Sequence, residues 1–154
     1  MEVFTKSAQE TFELGKNFAA SLKGGEVVAL VGDLGSGKTT FVQGLARGLG
    51  IKERILSPTF ILMRQYDIKT KNQNKNASFG RAKLKNLYHI DLYRLVGNIE
   101  QEYRSLGLEE IVGEKENIVV IEWAEKVRGL LPADTIWIRF GIVGEDGRKI
   151  IIKR

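Results

Sequence analysis

A chain of 154 residues, 43% hydrophobic and 28% charged, is long enough for one domain with a real core and too short for two. It has no cysteine and one histidine, which excludes disulfides, thiolate zinc sites and cysteine nucleophiles and argues against a histidine-based transition-metal site. The net charge of +5 sits in one place: residues 68–86 hold Lys69, Lys71, Lys75, Arg81, Lys83 and Lys85 and no acid, so the rest of the chain sums to −1.

Residues 5–22 place Ala8, Phe12, Gly15, Ala19 and Leu22 at three- and four-residue steps, the spacing of an amphipathic helix with Thr5 or Ser7 as N-cap. Acids interrupt this stretch and no later run approaches spanning length. Neither a signal peptide nor a membrane span is expected, and a cytoplasmic location is the default. Gly24-Gly25 ends the helix, and the apolar run 27–31 reads as a buried parallel strand. Residues 32–39 then spell GDLGSGKT, a full G-x-x-x-x-G-K-[ST] phosphate-binding loop, and residues 40–49 read as the helix after it. That strand–loop–helix setting is the one the motif requires. Its glycines let successive N–H groups turn toward an anion, and the helix N-terminus adds further donors. Asp33, Leu34, Gly35, Ser36, Gly37, Lys38, Thr39 and Thr40 are therefore the expected nucleotide-binding residues. Lys38 would reach the β- and γ-phosphates, and Thr39 would ligate Mg²⁺.

Gly50 stops the second helix, and Ser57-Pro58-Thr59 opens an extended run over 60–66. The basic segment 68–86 reads as a solvated, mobile insertion, or more sharply as an electrostatic contact to RNA or an acidic partner. Residues 87–91 form a strand ending on Asp91. Residues 98–112 look helical, with Leu106, Leu108 and Ile111 facing inward. Residues 118–121 are fully apolar and end on Glu122-Trp123, and residues 136–140 and 149–152 read as a closing antiparallel pair. This alternation predicts an α/β fold: a three-layer sandwich of the P-loop NTPase type, with a mainly parallel central sheet and antiparallel edge strands. One domain spans 1–154, carrying the basic insertion.

Hydrolysis needs an acid beside Mg²⁺ and a group that positions water. Glu122 and Asp91 stand at the C-terminal ends of two strands, where ligands collect in open α/β sheets. Their division of labour stays open. Thr59 can sense γ-phosphate or Mg²⁺ from its loop, or simply open the strand. Lys38, Asp91, Glu122 and Thr59 are the candidate catalytic residues, with Thr39 and Glu122 holding the metal. His89 reads as a packed or hydrogen-bonded residue rather than a general base. Arg94 can neutralise developing phosphate charge in cis, with a pair to Glu102 or a partner contact the favoured reading, and Trp123 packs in the core or serves as a platform. Neither Thr70-Lys71-Asn72-Gln73 nor Asn74-Lys75-Asn76-Ala77 supplies the Asp of a guanine-binding [NT]-K-x-D motif, so ATP is the expected nucleotide.

Four motifs stand in one order: GDLGSGKTT (32–40), SPTF (57–60), HIDLYR (89–94) and IEW (121–123). Together they resemble the TsaE (YjeE) family of small bacterial P-loop ATPases, and the likeness covers nearly the whole chain. The resemblance implies a part in making N6-threonylcarbamoyladenosine at position 37 of tRNAs that read ANN codons, alongside TsaB- and TsaD-like proteins. The tRNA would be met indirectly, through that complex, with ATP hydrolysis needed for multiple turnover rather than for the transfer itself. Residue by residue, it implies that Lys38 and Thr39 hold phosphate and Mg²⁺ and that Glu122 is the Mg²⁺-side acid. Asp91 would lie near the γ-phosphate, with Thr59 switch-like beside it. The segment between Tyr66 and His89 is longer and more basic than the family pattern. A small phosphotransferase acting on a nucleoside or metabolite is the alternative, weakened because the basic segment has only Arg81 to serve as an arginine lid. A nucleotide-holding binding module is the third reading.

Overall fold

The computed structural model describes residues 1–69 and 83–154, so most of the basic segment and the expectations attached to it lie outside the described residues. In chain order the elements are β1 (Glu2–Thr5), α1 (Ala8–Phe18), β2 (Val27–Val31), α2 (Lys38–Gly48), β3 (Met63–Asp67) and β4 (Asn86–Asp91). There follow α3 (Ile99–Ser105), α4 (Leu108–Ile111), β5 (Asn117–Glu122), β6 (Ile136–Val143) and β7 (Gly147–Lys153), with 3-10 turns at Ala19–Ser21 and Ala124–Leu130. The strands form one mixed sheet in the order β1-β7-β6-β2-β5-β4-β3. β6, β2, β5 and β4 run parallel in the middle, while β1, β7 and β3 join antiparallel toward the edges.

The pleat explains why the central strands read as unbroken apolar runs. On β2, Val28 and Leu30 point into a cluster with Phe18, Phe41 and Leu45 of α1 and α2. Val27 and Ala29 point the other way, into a cluster with Tyr103, Leu108 and Val127. A strand covered on both faces has no polar side to show. Each fully buried Leu or Phe here contributes about 1.5–3 kcal/mol.

α1 begins at Ser7, whose hydroxyl accepts from the Glu10 N–H at 3.2 Å while the Glu10 carboxylate accepts from the Lys6 N–H at 2.6 Å. This is close to a capping box and decides the N-cap between Ser7 and Thr5. Thr5 instead ends β1, its hydroxyl 2.8 Å from that of Thr11. The two long helices pack closely because glycines face each other across them. A Cβ on Gly15 would lie 2.1 Å from the Phe41 carbonyl oxygen, and one on Gly44 1.9 Å from that of Phe12.

Several sequence expectations need correction. The helix expected over 5–22 is shorter, because residues 2–5 pair with β7 as an edge strand. The extended run begins at Met63 rather than Phe60. The N–H groups of Ile61 and Leu62 turn back to the Pro58 carbonyl, and Leu62 sits at φ 66. Residues 57–59 are thus a loop and not the opening of a strand. The helix expected over 98–112 breaks at Gly107, φ 70, into α3 and α4. Of its three inward residues Leu108 is fully buried, while Leu106 and Ile111 are half-buried.

The parallel strands bring their C-terminal ends to one edge. β2 leads there into the Gly-rich loop and α2, and Asp91 and Glu122 are register partners at the ends of β4 and β5.

Candidate functional site

The loop between β2 and α2 needs its glycines for geometry. Gly35 (φ 76) and Gly37 (φ 98) lie in the left-handed region, which side chains with a Cβ rarely adopt. Gly37 also occupies the N-cap of α2, so no side chain bonds the helix's first N–H groups. The loop borders a cleft of about 320 Å³, lined by residues 34–40 together with Ser57, Thr59, Asp91, Tyr93, Glu122 and Trp123, and also by Ala8, Thr11, Asp146 and Arg148. That volume lies within the usual range for small-molecule sites.

Lys38 is buried to 4% exposure. Its ammonium donates to the Gly32 carbonyl at 2.6 Å and the Asp33 carbonyl at 2.9 Å, and stands 4.5 Å from the centroid of the Trp123 ring. Burial holds its pKa below the ordinary 10.5, although Glu122, Glu125, Asp91 and Asp33 all pull it upward. Trp123 itself is in the left-handed region at φ 60, a costly conformation for a bulky residue. Its ring also packs against Tyr93, 5.1 Å between centroids.

Two carboxylates collect hydroxyl donors. The Thr39 hydroxyl donates to Glu122 at 3.0 Å (Oε1) and 3.3 Å (Oε2), and His89 Nε2 lies 2.8 Å from the same Oε1. Asp91 Oδ2 accepts from Ser57 at 2.9 Å and Thr59 at 2.8 Å, and its Oδ1 accepts from the Tyr93 N–H at 2.9 Å. Both acids are about 3% exposed, so these donors offset much of the cost of burying a carboxylate. The loop 57–62 is also pinned by Arg94, whose guanidinium lies 4.0 Å over the Phe60 ring. The expected Arg94–Glu102 pair is not among the ion pairs of the described residues.

Among the described residues no three His, Cys, Asp or Glu side chains converge to hold a metal alone. The available set is one hydroxyl and one carboxylate, both hard oxygens. That suits a Mg²⁺ that takes few protein ligands and completes its shell with phosphates and water.

The structure brings Lys38, Thr39, Thr59, Asp91 and Glu122 around one cleft, with Leu34, Gly35, Ser36, Gly37 and Thr40. Asp33 lies off the lining and contributes its backbone carbonyl to Lys38. Sequence reasoning missed three residues. Arg148 donates to the Gly35 carbonyl at 3.0 Å from the start of β7, far from the loop in sequence. Lys126 donates to the carbonyls of Leu92 (2.8 Å), Tyr93 (2.8 Å) and Leu95 (2.9 Å), tying the loop after β4 to the turn after β5. Nothing in its sequence context marked it. Thr11 reaches the cleft from α1, a placement fixed only by tertiary packing.

Known proteins similar to this chain share one family. Residues 5–150 match the family model described as threonylcarbamoyl adenosine biosynthesis protein TsaE. The tRNA threonylcarbamoyladenosine biosynthesis protein TsaE of Treponema pallidum is 38% identical over 152 residues, covering 99% of both chains. Its namesake in Bacillus subtilis is 36% identical over 146 residues, 95% of this chain and 80% of that one. The crystal structure of YdiB from Bacillus subtilis superposes with a TM-score of 0.66 at 33% identity, over 97% of this chain and 82% of that one. With a family match across nearly its whole length and relatives of this similarity, the chain belongs to the TsaE family.

Proposed function

We propose that the chain is a Mg²⁺-dependent ATPase of the P-loop type, a single-domain three-layer sandwich. It would serve in the cytoplasm as the accessory subunit of a complex that forms N6-threonylcarbamoyladenosine at position 37 of ANN-decoding tRNAs. The observation that carries the reading is the Thr39–Glu122 hydrogen bond inside the cleft. It joins the last residue of the phosphate-loop motif to an acid at the end of the neighbouring strand, the two parts a Mg²⁺–nucleotide site needs.

Residues 34–40 wrap the phosphates, and Lys38 leaves its own loop's carbonyls to neutralise them. Thr39 and Glu122 would hold Mg²⁺, which would supply positive charge to the phosphate oxygens. Asp91 would face the γ-phosphate, orient the attacking water and, through the Ser57 and Thr59 hydroxyls it accepts from, carry the nucleotide state to the loop 57–62. In hydrolysis a water oxygen bonds the γ-phosphorus, the bond to the β–γ bridging oxygen breaks, and ADP and phosphate leave. Among the described residues Arg148 is the one arginine lining the cleft, and a partner is expected to complete the site, so intrinsic turnover is expected to be slow.

The partners are TsaB- and TsaD-like proteins. The exposed Phe60, Ile61, Tyr93 and Val96 lie on the two loops that Asp91 joins. Large apolar side chains left in solvent beside a site suit a protein partner that reads the nucleotide state. Hydrolysis lets the complex begin a new round, and the transfer of the threonylcarbamoyl group is the partner's chemistry.

The test is Mg²⁺-dependent ATP hydrolysis by the purified chain, alone and with the TsaB- and TsaD-like pair, with Lys38→Ala as control. Slow hydrolysis that rises with the pair and vanishes in the variant supports the proposal. Hydrolysis indifferent to the pair would sink the coupling and favour a metabolite kinase. ATP binding without hydrolysis in either mixture would leave a binding module.

A further inference from the structure

His89 is the chain's single histidine, fully buried, and lies on β4 two residues before Asp91 and therefore on the same face of the sheet. Its Nε2 meets Glu122 Oε1 at 2.8 Å, while its Nδ1 has no partner among the described residues. A carboxylate only accepts, so the proton of the pair belongs on Nε2. That bond orients the ring, with the Nε2 edge toward Glu122 and Nδ1 left without a partner among the described residues.

This bond matters because the terminal torsion of a glutamate is broad. Thr39 alone would hold the Glu122 carboxylate by one hydroxyl, about which it could turn. The second bond, arriving from a different strand, removes that freedom. Oε1 is then engaged by both donors, and Oε2 keeps only the longer 3.3 Å contact to Thr39.

Resting on the nucleotide reading above, we propose that His89 is a positioning residue. It locks the Glu122 carboxylate so that one oxygen stays on Thr39 and the other is presented to Mg²⁺. Its part resembles that of the hydrogen-bond partners behind directly bound metal ligands, whose loss costs about 10–100-fold in metal affinity.

Two variants separate this role from packing. His89→Leu keeps an apolar side chain of similar size and removes the donor. His89→Gln returns an amide N–H near the Nε2 position. The readout is binding of a fluorescent, non-hydrolysable ATP analogue titrated with Mg²⁺ and repeated in EDTA. His89→Leu is expected to raise the half-saturating Mg²⁺ by about 10-fold or more, to leave metal-free binding near wild type, and to be largely rescued by His89→Gln. Equal behaviour of the two variants, or no change in the Mg²⁺ requirement, would overturn the proposal.

A second measurement needs no variant. With one histidine, ring ¹⁵N spectra of the wild-type protein report His89 alone. They should show the Nε2–H tautomer, and its signal should move when Mg²⁺ is added to the nucleotide-bound protein. An Nδ1–H tautomer, or a signal blind to Mg²⁺, overturns the proposal. Wild-type protein that binds no ATP would instead overturn the nucleotide reading, and this proposal with it.

Discussion

Lys38 sits where two effects oppose each other. Burial lowers its pKa from 10.5, and the surrounding acids raise it without winning. In the free fold the charged form is therefore penalised, so Lys38 adds stability as pH climbs from its lowered pKa to 10.5, where the unfolded chain still holds the proton. A bound triphosphate brings negative charge to the ammonium and reverses the balance. ATP binding at alkaline pH should take up a proton, and affinity should fall as pH rises past the free-state pKa. Calorimetry in buffers of different ionisation enthalpy measures the uptake, and Lys38→Ala should show none. Asp91 invites a separate test, since it holds both Ser57 and Thr59. Replacing both hydroxyls (Ser57→Ala with Thr59→Ala) should leave ATP affinity within about 3-fold, under 1 kcal/mol, yet weaken stimulation by the partner pair in the ATPase assay. Undiminished stimulation would detach that loop from coupling. At this scale the placing of Lys38 and Thr39 at the cleft was legible from the phosphate-loop motif, and that of Glu122 from its position at the end of a fully apolar strand. Arg148 and Lys126 were not, because their partners are backbone carbonyls, which leave no mark on residue type.

Among the elements, α1 and α2 show how a local preference can be outvoted. Alanine in place of a helical glycine ordinarily gains about 0.5–1 kcal/mol. At Gly44 the new Cβ would fall 1.9 Å from the Phe12 carbonyl oxygen, which is backbone and cannot step aside without moving α1. Overpacking of about 1–3 kcal/mol should win, and Gly44→Ala should lower Tm by several degrees in thermal unfolding. A higher Tm would mean the helices separate at little cost. The loop after β4 depends instead on one cation. Lys126→Met removes the donor to three carbonyls, and amide exchange at residues 92–95 should quicken while the core strands stay protected. The elements that sequence reasoning found were those with strong periodicity or a flanking motif. β1 escaped because four residues with no apolar alternation become a strand only by pairing with β7, nearly the whole chain away. The start of β3 was misplaced because apolar Phe60 and Ile61 look strand-like, yet Leu62 turns left-handed and gives its carbonyl to the Asp91 N–H at 2.9 Å.

For the whole molecule, alternating β and α segments foretold a parallel centre with antiparallel edges, and the sheet has that form. The strand order was not legible. Placing β5 between β2 and β4 is a long-range choice, and it brings Glu122 into register with Asp91 and Leu30. That order turns separate motifs into one site, with the Gly-rich loop, Glu122 and Asp91 side by side at the ends of adjacent strands. On the proposed reading, hydrolysis at this site lets a tRNA-modifying complex work repeatedly. Its most direct test counts N6-threonylcarbamoyladenosine formed per complex in a reconstituted reaction, comparing this chain with Glu122→Gln and Lys38→Ala. Many rounds are expected with the wild-type chain and about one round with either variant, the first round proceeding normally because the transfer would belong to the partner. Variants that support as many rounds as the wild type would contradict that reading.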